Sequence, residues 1–198
     1  YPEAYNNLGV ALRQQGQWQA AMTAYQQAIG LRPNYFEAHQ NLGSMLQAEG
    51  KPQEAITYYR QALALKPHPE LYNSLGNLLQ RQNDLEGAIA AHQQAIALKP
   101  DFAEAHHALG NALQQQKQIA AAIAAYKTAL ELRSHYPEAW NNLGNALQEE
   151  GKFAEAIAHY QKALELRPDF AEAHSNLGAA LKDQQQLDQG IVHLKRAL

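Results

Sequence analysis

A leucine-glycine pair preceded by Asn, Ser or Ala returns at Gly9, Gly43, Gly76, Gly110, Gly144 and Gly178, with spacings of 34, 33, 34, 34 and 34 residues. A fixed period of this length means a repeat architecture, in which each unit buries its apolar face against the next. Numbering each unit so that this glycine is position 8 gives units 2–35, 36–68, 69–102, 103–136, 137–170 and 171–198, the last incomplete. Tyr1 then falls at position 34 and Leu198 at position 28, so the chain reads as one array over residues 1–198 and as a segment of a longer one.

Other columns follow. Positions 7 and 11 are leucine in all six units and position 27 is alanine in all six. Position 20 is alanine except for Gly190, and position 24 reads Tyr25, Tyr59, His92, Tyr126, Tyr160 and Leu194. Position 4 is always a ring: Tyr5, His39, Tyr72, His106, Trp140, His174. At about 100° per residue, positions 4, 7, 8 and 11 share one helix face, and positions 20, 24 and 27 share another. Each unit is therefore predicted to be two helices. Position 15 carries Gly16, Gly50, Asn83 and Gly151, residues suited to the left-handed conformation that ends a helix. Lys117 and Gln185 depart there, which predicts tighter or strained turns. Proline at position 32 (Pro33, Pro67, Pro100, Pro168) stops the second helix, with Ser134 departing. A residue is missing between Pro67 and Pro69, shortening one inter-unit loop.

A glycine inside a helix costs roughly 1 kcal/mol against alanine. Six of them at position 8 imply close helix approach, with small residues at 8, 20 and 27 letting the leucines and rings interdigitate.

These columns resemble the tetratricopeptide repeat over essentially the whole chain. The resemblance implies an all-α fold, a right-handed superhelical solenoid of antiparallel helix pairs, with first helices lining a concave groove. Function is then expected to be that of a protein-interaction scaffold, holding a peptide segment of a protein partner.

On the first helix, positions 2, 6, 9 and 13 lie opposite the packed face, with position 5 at its edge. Amides dominate there. The candidate groove residues are Asn7, Asn41, Asn73, Asn77, Asn111, Asn141, Asn142, Asn145, Asn176 and His107. An asparagine offers donors and an acceptor, so a row of them can pair with the backbone of an extended peptide whatever its side chains. The alternative is that they solvate the surface or bond to neighbouring helices and set the pitch of the stack. Residues at positions 12 and 13 (Arg13, Gln14, Arg81, Glu149, Lys182) are expected to tune specificity. The asparagine-rich units are similar to those of O-linked N-acetylglucosamine transferase arms, which implies a second reading: the recognition arm of a glycosyltransferase whose catalytic domain lies outside this chain. Ser74 and Ala108 interrupt the asparagine row.

Position 2 is glutamate throughout (Glu3, Glu37, Glu70, Glu104, Glu138, Glu172), complementing the helix dipole. Arg32, Lys66, Lys99, Arg133 and Arg167 near the second-helix ends do the same with opposite sign. Chaperone-binding relatives clamp an acidic C-terminal tail with basic residues on this face. This chain has no lysine at positions 2, 5, 6 or 9, so such a tail is not an expected partner.

Sixteen Lys+Arg against nineteen Asp+Glu, scattered singly, argue against nucleic acid. No apolar run approaches the roughly 20 residues of a membrane span. Absence of cysteine fits a reducing compartment such as the cytoplasm. Histidines 39, 106 and 174 occupy the ring column, so packing rather than metal ligation is expected of them. No phosphate loop, dinucleotide fingerprint or nucleophile elbow occurs, and neither enzymatic activity nor a cofactor is expected. Apolar side chains at both terminal units predict end-to-end self-association.

Overall fold

The computed structural model describes residues 1–198 as twelve α-helices without strands. They are α1 Pro2–Gln14, α2 Trp18–Leu31, α3 Phe36–Ala48, α4 Pro52–Leu65, α5 Pro69–Arg81, α6 Leu85–Leu98, α7 Ala103–Gln115, α8 Ile119–Leu132, α9 Pro137–Glu149, α10 Phe153–Leu166, α11 Ala171–Asp183 and α12 Leu187–Arg196. Contacts cluster into two units, Tyr1–Lys99 and Pro100–Leu198, each holding three repeats. Within the first unit, α1 packs on α2, α3 on α4 and α5 on α6, while α2 meets α3 and α4 meets α5. The second unit repeats this from α7 to α12. First helices also meet directly: α1 with α3, α7 with α9, and α9 with α11. No helix is long and apolar enough to cross a membrane.

Five of the six position 8 glycines are seats for a ring at position 24, and Gly178 faces Leu194 instead. A Cβ added at Gly110 would stand 2.5 Å from the Tyr126 ring, and one at Gly9, Gly43 or Gly144 would stand 2.6 Å from Tyr25, Tyr59 or Tyr160. His92 fills the same seat against Gly76. The rings of Tyr25, Tyr126, Tyr160 and His92 are wholly enclosed there, as are alanines 21, 55, 88, 122 and 156 of position 20. This ring-on-glycine contact offsets the poor helix propensity of glycine.

All six turns close identically, by paired bonds back to the first helix. The residue at position 16 donates to the carbonyl at position 11, and that at position 15 to the carbonyl at position 12, as in Gln17 to Leu12 (2.9 Å) and Gly16 to Arg13 (3.0 Å). This Schellman geometry places position 15 in the left-handed region. Lys117 (φ 65°) and Gln185 (φ 61°) adopt it as Gly16 (φ 74°) does. Their turns are thus no tighter than the glycine turns, and the cost is local: about 1–2 kcal/mol for an ordinary side chain.

Second helices end on an extended residue, such as Arg32 at φ −140° before Pro33. Arg133 has φ −144° before Ser134, so proline reinforces this exit without being required for it. Beyond it, four of the rings at position 4 bond back to the carbonyl six residues earlier. Trp140 donates Nε1–H to the Ser134 carbonyl at 2.9 Å. The Nε2 atoms of His39, His106 and His174 stand 2.7, 2.9 and 2.9 Å from the carbonyls of Pro33, Pro100 and Pro168. A carbonyl can only accept, so the three imidazoles donate from Nε2 as the indole does from Nε1.

Candidate functional site

The amide columns of the first helices divide into groups turned inward to the stack and groups left to solvent. In the first unit, Asn41 donates Nδ2 to Asn6 Oδ1 at 3.0 Å, joining α3 to α1. Asn73 faces His92 Nδ1 at 2.9 Å. Asn7 and Asn77 are exposed and unpartnered. At position 6 of the third repeat, Ser74 bonds within its own helix to the Glu70 carbonyl (2.9 Å), and the row stops.

In the second unit the row continues through both junctions. Asn142 donates Nδ2 to Asn111 Oδ1 at 2.8 Å, and the same nitrogen lies 3.0 Å from His107 Nε2. Since an amide NH2 only donates, His107 accepts at Nε2 and carries its proton on Nδ1, 3.0 Å from the Tyr136 hydroxyl. Asn176 donates to Asn141 Oδ1 at 3.0 Å, and Asn141 donates to Glu172 Oε1 at 2.9 Å. Asn141 is fully buried, so it holds α9 to α11. Asn41, Asn142 and Asn176 each donate to an asparagine of the earlier repeat, while Gln114 and Asn141 donate forward to Glu149 and Glu172.

A second layer was not legible from the asparagines alone. Tyr59, Tyr126 and Tyr160 send their hydroxyls through to positions 9 and 12 of the first helix. Tyr126 reaches Asn111 Oδ1 at 2.8 Å and Gln114 Oε1 at 2.9 Å. Tyr160 reaches Asn145 Oδ1 at 2.8 Å and Gln148 Oε1 at 2.9 Å. Tyr59 reaches Gln47 Oε1 at 2.8 Å and Ser44 Oγ at 3.3 Å. The signal in the sequence is joint occupancy: wherever position 24 is tyrosine and position 12 glutamine, position 9 is asparagine or serine. Burial raises the pKa of all three phenols above the ordinary value, so they remain donors.

Four of the six glutamates of the column are ion-paired, and a fifth, Glu172, accepts from Asn141. Glu70 meets Lys99 at 3.2 Å and Glu104 meets Arg133 at 2.6 Å, while Glu3 pairs with Arg32 and Glu138 with Arg167. Each pair joins the two helices of one repeat, and exposure to solvent keeps each of them weak. The Glu3 and Glu70 carboxyls are held below the usual range chiefly by backbone hydrogen bonds at the helix start, and then by their cations. The dipole contribution and the ion pair therefore coexist. Arg133 and Arg167 also lie over the Tyr136 and Phe170 rings at 3.7 and 4.6 Å.

In the second unit these elements border a cleft of about 520 Å³ lined by Gln114, Asn145, Gln148, Glu149, Phe153, Tyr160, Asn176 and Asp183. Glu149 accepts from Gln114 Nε2 at 2.5 Å and from Lys117 at 3.3 Å. Among the candidate groove residues, Asn145 and Asn176 are brought together here.

The family described as TPR repeat matches residues 9–50, 76–117, 110–151 and 144–185, and that described as tetratricopeptide repeat matches residues 36–69. The chain belongs to the tetratricopeptide-repeat family. Among solved structures of such repeats, a MamA protein is 28% identical, with 86% of this chain and 94% of that one covered and a TM-score of 0.80. PilF of Pseudomonas aeruginosa is 24% identical over 97% of this chain and 88% of its own, TM-score 0.79. YrrB, described as a TPR protein with an unusual peptide-binding site, is 21% identical over 85% and 88%, TM-score 0.78. The latter two share the fold. A search of curated proteins gives no significant match.

Proposed function

We propose that the chain is a protein-interaction scaffold that holds an extended segment of a partner against its first-helix face and performs no chemistry of its own. The observation that supports this most directly is the cleft bordered by Asn145, Gln148 and Asn176, polar side chains that retain hydrogen-bonding capacity after their internal bonds are counted. An amide-lined surface pairs with main-chain groups and tolerates varied side chains. A random peptide library selected on the intact chain tests the reading. Retention of selected peptides should fall at least about tenfold in the Asn145→Ala/Asn176→Ala variant, the size of one or two hydrogen bonds. Retention unaffected by that variant would remove it.

The glycosyltransferase-arm reading leans on the asparagine columns, many of whose members are committed to the stack. A recognition arm would select peptides through the same cleft, so the flanking sequence discriminates the two.

A second interaction is favoured by the last repeat. A recess of about 710 Å³ lies over Ala171, Ile191, Leu194 and Leu198. Elsewhere in the stack the equivalent columns are covered by the next first helix, and Tyr5 and Leu8 of α1 present that kind of face with 38% and 48% exposure. We propose head-to-tail association of two copies; sedimentation unchanged by Leu8→Glu or Ile191→Glu would refute it.

A further inference from the structure

An amide side chain has an acceptor end and a donor end, and what it presents to a ligand depends on which way it is turned. The single hydroxyl proton of Tyr160 is shared between Asn145 Oδ1 and Gln148 Oε1, and that of Tyr126 between Asn111 Oδ1 and Gln114 Oε1. Once the oxygen is turned to the phenol, the NH2 is turned from it. Gln114 fixes the same sense independently, because its Nε2 donates to the Glu149 carboxylate, which can only accept. Asn111 is fixed too, since its Oδ1 also takes the Asn142 amide.

We propose that Tyr126 and Tyr160 are positioning residues that set the hydrogen-bond direction of the groove, so that Asn111, Asn145 and Gln148 offer N–H groups to carbonyl oxygens of a bound segment. The inference rests on the groove reading above and adds the polarity of its contacts. Asn111, Asn145 and Gln148 are half-buried, so their outer ends remain reachable. The first and third repeats act as internal controls. Tyr25 has the same seat on Gly9, but Val10 and Arg13 occupy positions 9 and 12, and its hydroxyl is buried without a partner. His92 replaces the tyrosine in the third repeat, and Asn77 above it is unpartnered. Neither repeat holds an amide turned by a phenol.

The test uses the full chain, with Tyr160→Phe as one variant and Asn145→Asp/Gln148→Glu as another. The probes are a blocked (Gly-Ser)4 peptide and the same peptide N-methylated at every residue, which keeps its carbonyls and loses its N–H groups. In Tyr160→Phe the side-chain carbonyl ¹³C resonances of Asn145 and Gln148 should move upfield while those of Asn111 and Gln114 stay. Both peptides should bind the parent within about threefold of each other, and Tyr160→Phe should weaken both by about threefold to tenfold, one hydrogen bond's worth. The double carboxylate variant, which replaces N–H donors by acceptors at the same shape, should lose at least about tenfold. Unmoved carbonyl resonances, or binding abolished by N-methylation, would overturn the assigned polarity and leave the groove reading standing. Binding of neither peptide, or binding indifferent to alanine at both Asn145 and Gln148, would remove the groove reading with it.

Discussion

Residues 1–99 and 100–198 share their packing columns and differ in what their polar side chains do. In the first unit one amide bond crosses between first helices, Asn41 to Asn6, and only Tyr59 of three position 24 residues reaches partners at positions 9 and 12. In the second unit amide bonds cross both junctions, and Tyr126 and Tyr160 are both satisfied. Glycine seats, buried alanines and Schellman turns are common to the two. Packing therefore suffices for the fold, and the polar network is an added layer that fixes side-chain orientation where it is complete.

Acid should act on both units through different groups. Burial holds His92 in the first unit, and His107 in the second, down to about 4. Unfolded, each imidazole binds a proton below about 6.5, while folded it stays neutral until about 4, so stability falls as pH drops through that window. The loss is about 3 kcal/mol per group by pH 4. Denaturant titrations should show it, and His92→Tyr, which places a phenol under Asn77, should remove the first unit's share. A flat profile between pH 6.5 and 4 would break the assignment.

The shared packing layer is tested by Gly43→Leu and Gly110→Leu. Each should cost roughly 1–3 kcal/mol, equally in both units, since even a Cβ lies 2.6 Å or less from its ring. Melts that differ sharply between the two would show that the seats are not equivalent. The polar layer is tested by phenylalanine. Tyr160→Phe should cost about 1 kcal/mol, whereas Tyr25→Phe should be neutral or slightly stabilising, because that hydroxyl is already orphaned. Equal costs would erase the contrast. The smallest effects come from the turns. Lys117→Gly should stabilise by about 0.5–1 kcal/mol, and Asn83→Gly by only a few tenths, since asparagine tolerates the left-handed region.

Period, the helix pair of each unit and close approach at the glycines were legible because they depend on residues within one unit at fixed offsets, whereas the position 24 ring as the occupant of each glycine seat was not. The fate of the amides was not. A helical wheel put Asn142 and Asn176 opposite the packed face and Asn141 at its edge, and it cannot see the neighbouring first helix, whose approach encloses Asn141 and claims one end of the others. The paired glutamates escaped because their partners lie 29 residues on, at the end of the second helix of the same repeat, where the wheel of a single helix does not reach. The turn at Lys117 looked anomalous only because residue type was weighed above the carbonyls that the turn must satisfy.

The ring N–H bonds at the repeat boundaries have a kinetic consequence. Each closes a loop of six residues, so a repeat can latch onto its predecessor with little chain entropy lost. Assembly can then propagate outward from whichever repeat forms first, as expected of linear arrays. Tyr72, whose loop is a residue short, lacks the latch, and the boundary before α5 is where hydrogen exchange should report the earliest opening.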